Sequence, residues 1–273
     1  MTDRYAVFGN PLSHTKSPLI HMTFARDTGE DIDYGKIEPP LDGFGTSVET
    51  FRTAGGRGIN ITAPFKLEAH ALATRLMPRA QFAGAANCLK FEDDEIIAEN
   101  FDGIGLVRDI EHNLGVSLTG KRVLLLGAGG AARGAMLPIL ETRPARLTIV
   151  NRTRSKADAL QCQFARFGEV EVKNGVEVGS SSFDVVLNAT SASMRGELPE
   201  FAAGAVASGS LAYEFAYGKG LTPFLGFARS AGAATLADGV GMLVEQAAEA
   251  FAWWRGTRPD TSRLIVDLAI PLQ

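Results

Sequence analysis

The apolar run Val123-Leu124-Leu125-Leu126 passes without a spacer into Gly127-Ala128-Gly129-Gly130-Ala131-Ala132, and a helical pattern then continues to Leu140. A buried strand that turns on glycines directly into a helix leaves few architectures open. It is the context of the G-x-G-x-x-G/A turn, which holds the pyrophosphate of a dinucleotide. Gly127 permits the tight turn, and Gly129 lets backbone N–H groups approach an anion with no Cβ in the way. The partial positive charge of a helix N-terminus, from Gly130 and Ala131 onward, favours the same anion. Ala132 takes the third position, where small size serves helix–strand packing. Gly127, Ala128, Gly129, Gly130 and Ala131 are the first candidates for cofactor contacts.

The next strand indicates which dinucleotide the site would take. An NAD site needs Asp or Glu about twenty residues past the motif, to accept from the ribose 2′-hydroxyl. Here Leu147-Thr148-Ile149-Val150 ends in Asn151-Arg152-Thr153-Arg154-Ser155-Lys156. No carboxylate would repel a 2′-phosphate, while Arg152, Thr153 and Lys156 offer it charge and hydrogen bonds. NADP is the expected cofactor, with NAD left open. The plain alternative is that these cations only solvate a loop.

Strand-like runs alternate with helical patterns along most of the chain. Tyr5-Phe8, Gly58-Thr62, Asn87-Phe91, Ile96-Ala98, Val123-Leu126, Leu147-Val150 and Val185-Leu187 read as strands. Helical patterns run from Ser17 onward and over Leu67 to Leu76, Gly103 to Leu114, Ala131 to Leu140, Ser155 to Phe167 and Val240 to Trp254. In the first of these, Ser17 is expected to cap and Pro18 to take the first helical position. Such alternation argues an α/β fold with mostly parallel sheets. Two βαβ series are expected, the second announced by the turn-rich segment Gly115 to Lys121. Gly103-Ile104-Gly105 and Asp238-Gly239-Val240-Gly241 look like hinge points on either side of it. The helices from Val240 onward would then pack back on the first unit.

Composition narrows the function classes. With 273 residues, 45% of them hydrophobic, the chain suits one large or two modest domains. Its 27 basic and 31 acidic side chains give a net charge of −4 without a basic stripe, so nucleic acid binding has no footprint. No segment reaches the roughly 18 consecutive apolar residues of a membrane helix. The opening lacks the apolar stretch of a signal peptide, and a cytoplasmic location is expected. Cys88 and Cys162 lie far apart without CxxC spacing and are expected to be packed small hydrophobes rather than a disulfide or zinc site. His14, His21, His70 and His112 form no ligand spacing, and no metal is assigned. Nothing specifies an oligomer.

The first half carries a second set of polar segments: Asn10-Pro11-Leu12-Ser13-His14-Thr15-Lys16-Ser17-Pro18, Asn60-Ile61-Thr62-Ala63-Pro64-Phe65-Lys66, Ala85-Ala86-Asn87 and Asn100-Phe101-Asp102-Gly103. They fall at strand ends or helix starts, where ligand sites of α/β proteins collect. Hydroxyls, amides, one lysine and one aspartate suit a small polyhydroxylated substrate. With Asn151-Arg152-Thr153, Asn188-Ala189-Thr190-Ser191, Tyr217-Gly218-Lys219-Gly220-Leu221-Thr222-Pro223 and Asp238-Gly239-Val240-Gly241-Met242-Leu243-Val244-Glu245-Gln246-Ala247, these segments in order resemble the shikimate dehydrogenase family over nearly the whole chain.

That resemblance implies NADP-linked reversible reduction of 3-dehydroshikimate to shikimate, a step of aromatic amino-acid biosynthesis. The fold implied is a substrate domain (residues 1–103 and 239–273) and a Rossmann-like, doubly wound dinucleotide-binding domain (104–238), with a cleft between them. Lys66 carries over as acid/base and Asp102 as its partner. An amine near the reacting C–O can move the proton that accompanies hydride transfer, and a carboxylate can orient it. Thr15, Ser17 and Tyr217 would take the substrate carboxylate, and Thr62, Asn87 and Gln246 the carboxylate or ring hydroxyls. Asn188, Ala189, Thr190 and Ser191 would lie beside the cofactor, with Phe215, Gly239 and Met242 near the nicotinamide. Core packing is the alternative for Tyr217, Gln246 and Met242.

Three positions depart from the family's pattern. Phe101 stands where a hydroxyl ordinarily meets the substrate ring, and is expected to remove a hydrogen bond and add volume there. Thr15 replaces the commoner Ser, and Lys156 stands where Arg is usual, keeping the charge without the bidentate fork. A relative acting on quinate or another alicyclic hydroxy acid, or preferring NAD, is the nearest alternative. A non-catalytic nucleotide-binding protein is the other, with the retained Lys66 and Asp102 against it.

Overall fold

The computed structural model describes residues 2–272, which form two six-stranded sheets. The first sheet contains β1 (Asp3–Phe8), β2 (Ile32–Ile37), β3 (Gly56–Ile61), β4 (Arg75–Leu76), β5 (Cys88–Glu92) and β6 (Glu95–Glu99) in the order β2-β1-β3-β5-β6-β4. β1 runs parallel to β2 and β3, but β5 is antiparallel to both β3 and β6. Only Asp93 and Asp94 separate β5 from β6, too short a link for the crossover that a parallel pair requires. The strands are mostly parallel, as expected, and β5 is the antiparallel exception.

The second sheet is parallel throughout: β7 (Arg122–Leu126), β8 (Arg146–Val150), β9 (Val170–Lys173), β10 (Phe183–Asn188), β11 (Val206–Glu214) and β12 (Thr235–Ala237) in the order β12-β11-β10-β7-β8-β9. Chain order reverses between β7 and β10. In a doubly wound sheet the ligand crevice opens at the carboxyl ends of the strands flanking that point.

The helices are α1 (Ser17–Thr28), α2 (Phe44–Thr53), α3 (Lys66–Leu72), α4 (Pro78–Ala83), α5 (Asp102–Arg108), α6 (Gly130–Glu141), α7 (Arg154–Phe164), α8 (Pro223–Ser230), α9 (Val240–Arg255) and α10 (Ser262–Leu268). Three boundaries differ from the periodicity reading. The helix expected to reach Leu76 stops at Leu72, because Ala73 turns extended and Arg75–Leu76 pairs with β6. The pattern over 103–114 is α-helical only to Arg108 and continues as a π-helical turn, Asp109–Asn113. Past Phe164 the chain tightens into a 3-10 turn, Ala165–Phe167. Ser17 does not cap α1: Lys16 occupies that position and no side chain caps the helix, while the Ser17 hydroxyl accepts from that of Thr15 at 3.3 Å.

Packing of α5 sets the geometry of everything that follows. A Cβ at Gly105 would stand 2.7 Å from the Gln246 nitrogen of α9, and one at Gly103 would fall on the Gly134 carbonyl oxygen of α6. The two glycines thus let three helices approach backbone to backbone. Asp102 at the start of α5 is thereby brought beside Gln246, and near the helix that follows the glycine turn. α9 packs with α1 against β1 in one apolar core that includes Tyr5, Phe24, Phe251 and Trp254, with the Tyr5 and Trp254 rings stacked at 4.6 Å. On the other face of the first sheet, Phe8, Phe44, Phe51 and Phe65 pack under α2 and α3. Phe65 is fully buried and anchors the chain one residue before Lys66.

Cys88 is buried in the first core, and burial pushes its thiol well up. Cys162 is exposed on α7, contrary to the packed position expected for it. Among the described residues no helix is long and apolar enough to cross a membrane.

Candidate active site

The segments that carry polar residues in the first half converge on a cavity of about 300 Å³. The loop after β1 brings Thr15 and, at the first turn of α1, Ser17; the end of β3 brings Asn60 and Thr62; α3 begins with Lys66 and α5 with Asp102. Asn87 precedes β5, Gln246 comes from α9, and Phe215, Tyr217, Gly239 and Met242 close the opposite wall. Every residue expected to touch substrate lines this one cavity.

A hydrogen-bonded chain fixes its floor. The Lys66 ammonium donates to Asp102 Oδ2 at 2.6 Å, and Asn87 Nδ2 donates to Asp102 Oδ1 at 2.8 Å and to Gln246 Oε1 at 3.1 Å. Asn87 Oδ1 accepts from the Phe101 backbone N–H at 2.8 Å, and Asn100 Oδ1 accepts from that of Asp102 at 3.1 Å. Lys66 keeps 34% of its side-chain surface exposed and Asp102 15%. The carboxylate is thus held from two sides while the ammonium stays open to the cavity and to water. Asp102 also sits in the first turn of its helix, where negative charge is favoured by the helix dipole.

Models of the shikimate dehydrogenase substrate binding domain, of shikimate / quinate 5-dehydrogenase and of the shikimate 5'-dehydrogenase C-terminal domain match residues 7–89, 109–195 and 239–264. A shikimate dehydrogenase (NADP(+)) of Nitrosospira multiformis is 56% identical over 265 residues, which span 97% of this chain and 96% of that one. The chain belongs to the shikimate dehydrogenase family. Among solved structures, an Ael1 enzyme from Pseudomonas putida is 58% identical with a TM-score of 0.95 over 100% of both chains. The shikimate 5-dehydrogenase of Thermus thermophilus, solved with NADP(H) and shikimate, is 27% identical with a TM-score of 0.86 over 97% of this chain and 98% of that one.

The segments expected to meet a nucleotide lie at the carboxyl ends of β7, β8 and β10. Gly127 has φ +109°, a conformation that residues with a Cβ avoid, and a Cβ there would press on the Ala189 carbonyl carbon at 3.2 Å. Around Gly129 and Gly130 the space a Cβ would take is open, with Ala131 exposed beside them. Asn151 links this turn to the next loop: its Oδ1 accepts from Ala128 N–H at 3.1 Å and its Nδ2 donates to the Thr153 carbonyl at 2.8 Å. Arg152, Thr153 and Lys156 are exposed at the end of β8. Thr190 is half-buried beside Gly127 and Ser191 is exposed, but Asn188 turns inward. Its Nδ2 donates to Glu214 at 2.9 Å and to Ser193 at 3.2 Å, while its Oδ1 accepts from the Thr190 N–H and hydroxyl. Asn188 therefore shapes the Ala189–Ser191 turn from beneath.

Phe101 lies in the core rather than along the cavity. Its side chain is 3% exposed, lies in the apolar core with Val244 and Phe251, meets Trp253 edge-on at 5.7 Å and carries the Arg79 guanidinium 5.5 Å from its ring centre. It is not among the residues lining the cavity.

Other residues of the site were not singled out from sequence. Asn60 lines the cavity and accepts from the buried Tyr34 hydroxyl at 2.6 Å; its place at the head of the Asn60-to-Lys66 segment was the available signal. Glu214 is fully buried, and burial pushes its carboxyl up while Ser193, the Ala216 N–H, Asn188 and Thr222 pull it back. Nothing in a single sequence separates such a carboxylate from a surface one.

Proposed function

We propose that this protein catalyses the NADP-linked, reversible reduction of 3-dehydroshikimate to shikimate, with residues 1–103 and 239–273 holding the substrate and 104–238 the cofactor. The observation that carries this reading is the 2.6 Å Lys66–Asp102 pair on the floor of a hydroxyl- and amide-lined cavity whose far wall is Phe215, Gly239 and Met242. The open, glycine-lined turn at 127–130, at the start of a 12-residue helix, fits a pyrophosphate, and the exposed Arg152, Thr153 and Lys156 fit a 2′-phosphate. Bound NADPH would supply a hydride.

Each side chain then has a task set by its position. Thr15 and Ser17 donate hydroxyls to the substrate carboxylate at the start of α1, where the helix dipole adds to the attraction. Tyr217 reaches the same group from the loop after β11. In the reductive direction Lys66 Nζ gives a proton to the oxygen of the carbon that gains hydride, and in the reverse direction the neutral amine takes that proton back. Asp102 orients the ammonium and accepts from a ring hydroxyl. Asn87 and Gln246 brace Asp102, and Thr62 donates a further hydroxyl. Because a third of the Lys66 side-chain surface is exposed, its proton can be replenished from water.

The test is an initial-rate matrix of shikimate and quinate against NADP and NAD, followed by the absorbance of reduced nicotinamide, with Lys66→Ala as the blank. Saturable, Lys66-dependent NADP reduction with shikimate is expected. Activity confined to quinate or to NAD overturns the substrate or cofactor assignment, and equal rates in Lys66→Ala overturn the acid/base role.

A further inference from the structure

Three segments far apart in sequence meet behind the cofactor-side wall of the cavity. Tyr213, near the end of β11, is fully buried, and its hydroxyl donates to Asp109 Oδ2 at 2.6 Å. Asp109 opens the π-helical turn that continues α5 on its way to the second sheet, and its Oδ1 accepts from Asn113 Nδ2 at 2.9 Å. With its only O–H directed at Asp109, the Tyr213 oxygen accepts from the Met242 backbone N–H at 3.2 Å. Met242 is the third residue of α9, so this N–H is one of the donors that a helix leaves unpaired at its start. Gly239 in the N-cap position offers no side chain to satisfy it. The approach is close: a Cβ at Gly241 would fall on the Asp109 carboxylate. The Tyr213 ring also meets Phe215 edge-on at 6.3 Å.

Filling this space needs no hydroxyl, since phenylalanine would occupy the same volume. Burying a carboxylate between two halves of a protein costs desolvation free energy, and such groups are retained in several systems because they select one geometry. Burial does raise the Asp109 carboxyl, with the Tyr213 and Asn113 hydrogen bonds pulling it back. A π-helical turn is itself a feature found frequently at functional sites.

We infer that Tyr213 and Asp109 are a positioning pair: together they cap the start of α9 and fix Phe215 and Met242 as the surface that holds the nicotinamide ring against the substrate. Neither residue lines the cavity. Both act through the backbone of Met242 and the ring of Phe215. The inference rests on the dehydrogenase reading above, and its consequence is specific to hydride transfer. Loss of the Tyr213 hydroxyl should loosen the ring's placement while leaving Thr15, Ser17, Lys66 and Asp102 in position.

Tyr213→Phe in the full chain tests this, with Asp109→Asn and the double variant completing a cycle. In the ligand-free protein, amide exchange at Met242 should quicken about tenfold in Tyr213→Phe. In turnover, kcat should fall about tenfold with the shikimate KM within about twofold, and the primary isotope effect from NADPH deuterated at C4 should grow. The double variant should lose little more than Tyr213→Phe alone, since two residues acting as one unit are not additive. Unchanged kcat and isotope effect in Tyr213→Phe, with a lowered melting temperature only, would overturn the pair as a positioning device. A parent protein that turns over neither shikimate nor 3-dehydroshikimate would overturn the dehydrogenase reading, and the inference with it.

Discussion

The Lys66 ammonium and the Asp102 carboxylate lie 2.6 Å apart, although 36 positions separate them in the chain and each begins a different helix. Two glycines in α5 and a buried Phe65 before α3 bring the helix starts together, and Asn87 holds the second carboxylate oxygen. If the pair moves the proton that accompanies hydride transfer, Lys66→Ala should lower kcat by about 10²- to 10⁴-fold. Asp102→Asn removes charge but keeps shape, and should lower kcat/KM by about 10- to 100-fold, the worth of one hydrogen bond to a charged group. Steady-state kinetics beside thermal melts separate these effects from unfolding. Near-parental turnover in either variant counts against its role.

Arg152 is exposed at the end of β8, next to Asn151, whose amide ties the loop to the glycine turn. Arg152→Ala should raise the KM for NADP about tenfold and leave that for NAD within about twofold, because only NADP offers the phosphate a guanidinium would bind. Equal changes for both cofactors would show that Arg152 does not read the 2′-phosphate.

Phe101 bears on stability rather than on substrate choice. Phe101→Thr empties a core position between Trp253 and Arg79 and places a hydroxyl among apolar neighbours. The expected cost is about 3–5 kcal/mol by denaturant unfolding, as for other large-to-small core changes. The shikimate KM should stay within about twofold, the ring being outside the cavity. A fall in KM would show that position 101 meets the substrate after all.

His21 sits fully buried against Tyr34, whose ring stacks on it at 4.2 Å, and neither ring nitrogen has a hydrogen-bond partner. Burial lowers its pKa to about 3. The unfolded chain binds this proton from about pH 6.5 downward and the native state only near pH 3. Stability from the neutral ring is therefore complete above pH 6.5 and lost progressively as pH falls toward 3. Burial raises the carboxyls of Glu99, Asp109 and Glu214, whose contributions run the other way. His21→Phe should flatten the acid limb of a stability–pH curve relative to the parent. Superimposable limbs would mean that His21 is not the group responsible.

Local patterns foretold much of the second sheet. β7, β8 and β10 are apolar runs ending at glycine or asparagine, and they stand where periodicity placed them. β9, β11, β12 and the short helices were harder to read, because their apolar residues are few or interrupted by small polar ones. Val170–Lys173 is only half-buried at every position, so no strong alternation marks it. The 103–114 helix changes type at Asp109, whose carboxylate accepts from Tyr213 on a strand more than a hundred residues away, a partner no local pattern reveals.

By itself the amino-acid sequence determined the α/β class, the glycine turn for a dinucleotide phosphate, the missing acidic residue where NAD would need one, and the residues that meet in the cavity. Those properties live in short segments, whose backbone freedom, charge and hydroxyl content are local. Only the tertiary structure decided that Phe101 faces the core, that Asn188 turns inward onto Glu214, that Cys162 is exposed and that Tyr213 reaches both Asp109 and Met242. Each depends on which surface of an element is covered by another, and close packing between distant segments settles that.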